Sequence, residues 1–131
     1  MGLQEKRLAK NIQDNVLPGF LEAVKTITGF EPKLDINWDS FIAYDEYPLS
    51  RLEGDIFPSL LEVFQSICRD EMGREALKSA LKSIRLENTD DEEGVELRFA
   101  DGELYHRMQL AGGTYRRHGA DQIISLLEKS L

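Results

Sequence analysis

The sequence predicts an α+β fold, a two-layer sandwich in which helices cover one face of an antiparallel sheet of about four strands. An Asp101-Gly102 pair lies between two alternating segments, and this is the strongest short-range signal for a β-hairpin. Apolar residues recur at helical spacing elsewhere, whereas each predicted strand has a single apolar face. We therefore expect one domain over residues 1–131, with the element order α-β-α-α-β-β-β-α.

The first predicted elements are a long helix and a short strand. Apolar side chains recur every three or four positions over residues 3–27, and Pro18 with its following glycine is expected to kink or divide this helix. Residues 33–38 alternate between apolar and polar, which is typical of a strand with one buried face and makes Trp38 a core residue. Residues 43–55 contain Pro and Gly and are predicted to form a loop with at most one helical turn.

The remaining elements are two helices, three strands and a final helix. The second helix is expected to begin near Pro58, and Gly73 is expected to separate it from the third. Residues 84–87 alternate as a strand, which an acidic turn connects to the hairpin. These three consecutive strands are predicted to form an antiparallel meander, joined by the first strand. Apolar spacing over residues 123–131 predicts the last helix.

A two-residue turn at Asp101-Gly102 fixes the register of the hairpin. The apolar face then contains three facing pairs: Phe99 with Leu104, Leu97 with His106, and Val95 with Met108. The opposite face contains a cation–aromatic pair and an ion pair: Arg98 with Tyr105, and Glu96 with Arg107. Glu96, Arg98, Tyr105, Arg107 and Gln109 are expected to be exposed. His106 is predicted to be a hydrogen-bonded core residue rather than a catalyst or metal ligand.

The charge is concentrated in the middle of the chain. The net charge is −8, and residues 33–93 hold seven basic and fifteen acidic side chains. This acidic excess disfavours nucleic acid and favours a basic protein partner, whose association it would accelerate. No apolar run is long enough to span a bilayer, so we expect no membrane association. Cys68 is the lone cysteine, which suits a reducing compartment, and a cytoplasmic location is expected.

Residues 35–46 offer a candidate metal site. Oxygen-bearing side chains stand at positions one, three, five and twelve of this segment, as Asp35, Asn37, Asp39 and Glu46. Over these twelve residues the chain resembles the calcium loop of the EF-hand family, which implies a weak calcium site. The sixth position, where that family has glycine, is Ser40. The alternative interpretation is a strand that turns the same polar side chains towards solvent, and it leaves the protein without a cofactor.

Residues 112–118 offer a candidate anion site. Two glycines give the segment flexibility, and potentially cationic side chains precede a predicted helix N-terminus, where backbone N–H groups attract anions. The alternative is a mobile loop whose arginines pair with carboxylates. Together with the polar face of the hairpin, the segment gives these candidate anion- or partner-binding residues: Arg98, Tyr105, Arg107, Tyr115, Arg116, Arg117 and His118.

These observations predict a small acidic protein that binds another macromolecule without catalysing a reaction. No nucleophile signature accompanies the histidines, so we do not expect an enzyme. A basic protein partner is expected, recognised in the manner of an inhibitor, an immunity protein or a secretion chaperone. The alternatives are a small-ligand or anion-binding domain, or weak enzyme, that uses residues 112–118, and the weak calcium loop. Both a monomer and a homodimer formed through the hairpin edge or the last helix remain open.

Overall fold

The computed structural model describes residues 2–113 and 115–131, and it has the predicted α+β fold. Helices pack on a four-stranded sheet. The helical elements are α1 Leu3–Asn11, a π-helical segment Ile12–Val16, α2 Leu17–Thr28, α3 Trp38–Ile42, α4 Tyr47–Arg51, a second π-helical segment Leu52–Ile56, α5 Phe57–Ile67, α6 Glu71–Ala80, the 3₁₀ turn Glu92–Gly94 and α7 Ala120–Ser130. The strands are β1 Lys33–Ile36, β2 Ser83–Asn88, β3 Glu96–Ala100 and β4 Glu103–Met108.

The sheet has the order β1-β2-β4-β3 and mixes parallel with antiparallel pairs. β1 pairs with β2 in parallel, β2 pairs with β4 in parallel, and only the β3–β4 hairpin is antiparallel. The predicted fully antiparallel sheet and its meander are therefore wrong in strand order, because β4 separates β2 from β3. The reason lies in β4 itself, which buries Leu104 and Met108 on one face and Tyr105 on the other. A strand that is buried on both faces belongs in the interior of a sheet.

The hairpin has the predicted register. Its pairs run from Ala100 opposite Glu103 to Glu96 opposite Arg107. Asp101 and Gly102 both have positive φ, at 54° and 82°, as the mirror-image turn of a two-residue hairpin requires. Val95 lies just before β3 and is half-buried, as are Leu97 and Phe99, so the apolar face of this edge strand is less covered than predicted.

The first helical segment has close to its predicted extent, and the second is longer than the sequence pattern predicts. The helical segment beginning at Leu3 continues through a π-helical turn to Thr28, and Pro18 stands in the first turn of α2. The second begins at Tyr47 rather than near Pro58, and a π-helical turn again precedes the proline. Residues 43–55 are therefore mainly helical, because Leu49, Leu52 and Ile56 are almost fully buried in the core.

Two predicted boundaries move for identifiable reasons. The strand that begins at Lys33 ends at Ile36 rather than at Trp38, because the side chain of Asn37 accepts a hydrogen bond from the Ser40 N–H and starts α3. Gly73 does not separate two helices but lies in the first turn of α6. A Cβ at this position would come within 1.8 Å of the Ile67 carbonyl oxygen, so the turn between α5 and α6 requires glycine.

The core lies between the helices and one face of the sheet. Ile36, Ile84, Leu86, Leu104 and Met108 point from the sheet into this core. The opposite face of the sheet is polar, as predicted. The loops that follow the carboxyl ends of β1, β2 and β4 meet at one end of the sheet. Within residues 2–113 and 115–131, the helices lack the length and apolar character that a membrane crossing requires.

Candidate functional site

The polar face of the sheet contains a row of charged side chains around Tyr105. The register aligns Asp35, Arg85, Tyr105 and Arg98 across the four strands. The Arg98 guanidinium lies 4.4 Å from the Tyr105 ring centroid, and the guanidinium groups of Arg85 and Arg107 lie 5.7 Å and 5.9 Å from it. Tyr105 is therefore only 5% exposed, in contrast to the exposure that alternation predicts. Gln109, whose side-chain amide donates to the Asp90 carbonyl oxygen, was also predicted to be exposed and is 7% exposed. The arginines that neighbour a central strand cover its aromatic ring.

Hydrogen bonds hold this row in one arrangement. The Tyr105 hydroxyl donates to Glu87, whose carboxylate also accepts from the Asn37 amide at 3.0 Å. Burial and the Glu87 carboxylate raise the pKa of Tyr105 to about 12, so the phenol stays protonated at neutral pH. The bond from Tyr105 is the main reason that the pKa of Glu87 is lowered. Glu96 pairs with Arg98 and, at 3.6 Å, with Arg107, as the register predicts for the second pair.

The cationic groups of residues 115–118 do not converge on one point. Arg116 pairs with Glu92 at 3.2 Å, and its backbone bridges Gln109 at the end of β4. Arg117 instead donates to the Ser59 hydroxyl of α5 at 3.1 Å and to the Tyr115 hydroxyl at 3.0 Å. Arg116 thus pairs with a carboxylate, whereas Arg117 bonds to two hydroxyl groups. Thr114 lies outside the described residues.

His106 and His118 form a buried contact between β4 and this loop. His106 is 2% exposed, as predicted for a core residue, and its Nε2 accepts a hydrogen bond from the His118 N–H at 3.1 Å. The ring centroids are 5.6 Å apart, and the Nδ1 atoms of both rings are buried without a hydrogen-bond partner. Burial, reinforced by His118 and Arg117, lowers the pKa of His106 to about 3, so its imidazole is neutral at physiological pH.

The four candidate calcium ligands lie in different local structures. Asp35 is in β1, Asn37 caps α3, Asp39 is in the first turn of α3, and Glu46 precedes α4. The Asn37 side chain is already bonded to Ser40 and Glu87, so the segment does not form a single loop around a central point. Among the residues with described positions, no group of three or more His, Cys, Asp or Glu side chains could hold a metal ion.

A cluster that was not predicted from the sequence lies where the parallel strands end, at their carboxyl termini, and we call it the tyrosine rim. It contains three exposed tyrosines with the charged groups around them: Tyr44, Asp45, Tyr47, Arg51, Asp55, Asp90 and Tyr115. Tyr44, Tyr47 and Tyr115 are 45%, 46% and 41% exposed. Three large aromatic side chains at the surface are notable because Tyr is enriched at protein interfaces.

Arg51 organises the tyrosine rim. Its guanidinium lies 4.9 Å from the Tyr47 ring centroid and 4.8 Å from the Tyr115 ring centroid. The same group donates to the carbonyl oxygens of Leu110 and Gly112, at 2.7 Å and 2.9 Å, and so connects α4 to the loop after β4. Arg51 therefore holds two tyrosines from distant parts of the sequence on one surface.

Each tyrosine of the rim also lies beside an aspartate. The Tyr115 hydroxyl donates to Asp55, and the Tyr47 N–H donates to Asp45 at 3.0 Å. The Asp90 carboxylate lies close enough to the Tyr44 hydroxyl to raise its pKa. Desolvation and these carboxylates raise the pKa of the Tyr44 and Tyr115 hydroxyls, which remain neutral donors. The acidic run at residues 90–93 begins at this point and adds further negative charge.

One signal for the rim was present in the sequence. Residues 44–47, Tyr-Asp-Glu-Tyr, combine two aromatic and two acidic side chains in a segment without an apolar stripe. Nothing local indicated that Arg51 and Tyr115 lie beside them. Comparisons with protein-family models, with curated proteins and with solved structures gave no significant match for this chain.

Proposed function

We propose that this protein is a non-catalytic binding protein that recognises a basic surface of another protein through the tyrosine rim. The observation that carries the proposal is the clustering of three exposed tyrosines with Asp45, Asp55 and Asp90 where the parallel strands end. Tyrosine supplies a rigid contact area with few rotatable bonds, and its hydroxyl also forms hydrogen bonds. The adjacent carboxylates fit lysine and arginine side chains of a partner.

Preorganisation supports the same function. Arg51 stacks against Tyr47 and Tyr115 before any partner arrives, so less side-chain freedom is lost on association. The net charge of −8 gives a long-range field that accelerates the approach of a cationic protein. An inhibitor, an immunity protein or a secretion chaperone would work by such steered, non-catalytic association.

Affinity capture from native cell extract at low and high salt tests this function. The full chain is compared with two double variants that remove the same charge: Asp90→Asn/Asp91→Asn at the rim and Glu71→Gln/Glu75→Gln on α6. We expect a basic protein to be retained at low salt, to be lost as salt rises, and to be lost by the first variant alone.

A second comparison separates the tyrosines from the general charge. Tyr47→Ala is expected to accelerate dissociation of the captured protein by roughly tenfold or more, as for a central aromatic anchor, and Met72→Ala on α6 is the control. Met72 is 83% exposed, so its truncation removes a surface side chain away from the rim. Retention that is insensitive to salt and to both rim variants would contradict the proposed function.

A further inference from the structure

β3 is an edge strand whose outer backbone groups are available for pairing. It lies at the end of the sheet order, beyond β4. Residues that flank a two-residue hairpin turn form a hydrogen-bonded pair, so Ala100, Arg98 and Glu96 bond to β4. The N–H and C=O groups of Leu97 and Phe99 therefore point away from β4. Glu96–Ala100 contains no proline or glycine, so neither residue hinders the pairing of another strand with this edge.

The other edge strand of the sheet, β1, is poorly suited to pairing with a further strand. The N–H groups of Lys33 and Asn37 donate to β2 and its preceding residue, so the alternate positions Pro32, Leu34 and Ile36 face outwards. Pro32 has no N–H, and α3 follows β1 directly after one residue. Of the two edges, β3 is the one that can extend the sheet.

The side chains of β3 select one partner and one register. If β3 pairs antiparallel with a second copy of itself about Leu97, Glu96 of each copy lies opposite Arg98 of the other. These are the closer, non-hydrogen-bonded positions, where opposite charges attract most. A shift of two residues in either direction would instead place Arg98 opposite Arg98 or Glu96 opposite Glu96, which is repulsive.

The apolar face of β3 supports the same pairing. Leu97 and Phe99 are only half-buried, although they pack against the core, and Val95 just before the strand is half-buried as well. In the register centred on Leu97, Leu97 faces its own copy and Val95 faces Phe99 of the other chain. A two-fold axis perpendicular to the sheet keeps both helix layers on one side, so α7, which packs against β3, would adjoin its copy.

We propose that β3 forms a symmetric homodimer in which two copies of the sheet join into one of eight strands. The pairing is antiparallel, with Leu97 at the two-fold axis and two Glu96–Arg98 ion pairs across it. This interface lies on β3, and the tyrosine rim is built from other elements, so the dimer is independent of the proposed binding function.

Charge reversal tests the dimer, with sedimentation velocity of the full chain over a range of concentrations as the measurement. Glu96→Arg and Arg98→Glu each place like charges opposite each other, and we expect each to weaken self-association by roughly tenfold or more. In a heterodimer of the two variants, opposite charges face each other at both positions. An equimolar mixture is therefore expected to restore dimerisation. The mixture also controls for misfolding, because unfolded variants would not recover association on mixing.

Cross-linking tests the register. In a Cys68→Ala chain, Leu97→Cys is expected to be joined to its copy by a short thiol cross-linker, since directly opposed Cα atoms in a hydrogen-bonded pair are about 5.5 Å apart. Phe99→Cys is the matched control, because its own copy would lie about four residues away along the strand. A chain that sediments as a monomer at all concentrations, a dimer insensitive to both charge reversals, or equal cross-linking at both positions would overturn the proposal.

Discussion

At the scale of single residues, His106 is held neutral by its position. It is buried on the helix side of β4, where its Nε2 accepts the His118 N–H. The unfolded chain restores the ordinary histidine pKa near 6.5, whereas the folded pKa is about 3. The unfolded state therefore binds more protons between these two values, and stability is lost as pH falls through this window.

His106 is expected to make the free energy of unfolding fall by up to about 1.4 kcal/mol per pH unit as pH decreases from 6.5 towards 3. Urea unfolding at pH 7, 6, 5 and 4 measures this slope. His106→Gln retains an acceptor for the His118 N–H but does not titrate, so the variant should have a shallower slope by about that amount. Identical slopes would show that His106 is not the group responsible.

Gly73 is a second residue whose role depends on its environment. The Ile67 carbonyl oxygen would lie 1.8 Å from a Cβ at this position. Gly73→Ala is therefore expected to lower the free energy of unfolding by about 1–3 kcal/mol, although alanine is the better helix former. Gly19→Ala in α2 is the control, since nothing lies within 4 Å of a Cβ there. Denaturant titration that found both variants equally stable would refute the clash.

At the scale of elements, Asn88 connects three segments by hydrogen bonds at the carboxyl ends of the parallel strands. Its Nδ2 donates to the Ser40 carbonyl oxygen of α3 at 3.1 Å, and its Oδ1 accepts from the Leu110 N–H after β4 at 3.0 Å. Asn88 itself is the last residue of β2 and is almost fully buried. The loops that support the tyrosine rim are thus joined by one side chain.

Asn88→Ala is expected to lower the free energy of unfolding by about 2–4 kcal/mol, because it removes the hydrogen-bond partner of the buried Leu110 N–H and of the partly buried Ser40 carbonyl. Hydrogen exchange should locate the effect, with faster exchange at the Leu110 amide before any change within the hairpin. Asn15→Ala, which removes an exposed asparagine whose amide donates to Asn11 at the surface, is expected to change stability by less than about 0.5 kcal/mol. A similar effect for both variants would argue against the link.

At the scale of the whole molecule, the excess of carboxylates has a cost to stability. With a net charge of −8, the folded chain repels itself at low ionic strength. Raising NaCl from about 0.01 to 0.2 M shortens the Debye length from about 30 Å to less than 10 Å and is expected to raise the melting temperature by a few degrees. Near the sequence pI of about 4.8, where the net charge vanishes, this increase should be much smaller. Equal increases at both pH values would exclude net charge as the cause.

The local features of this fold were predictable because their determinants are close in the sequence. Asp101-Gly102 sets the turn, and the turn sets every pair from Ala100 to Glu96. Helical spacing likewise located α2, α5 and α7, although packing of Leu49 and Leu52 extended helix into a segment that looked like a loop. Burial in the core outweighed the turn signals of this segment. The spacing of apolar residues over so short a stretch does not reveal that burial.

The sequence by itself determined the α+β class, the hairpin register and the single apolar face of the sheet. Only the tertiary structure decided that β4 lies between β2 and β3, that arginines cover Tyr105, and that Arg51 brings Tyr47 and Tyr115 together. The physical reason is the separation along the sequence between the residues whose contacts determine each feature. Turn geometry and side-chain alternation act between neighbours, whereas strand order and surface clusters depend on contacts between segments separated by tens of residues, which only the packed core selects.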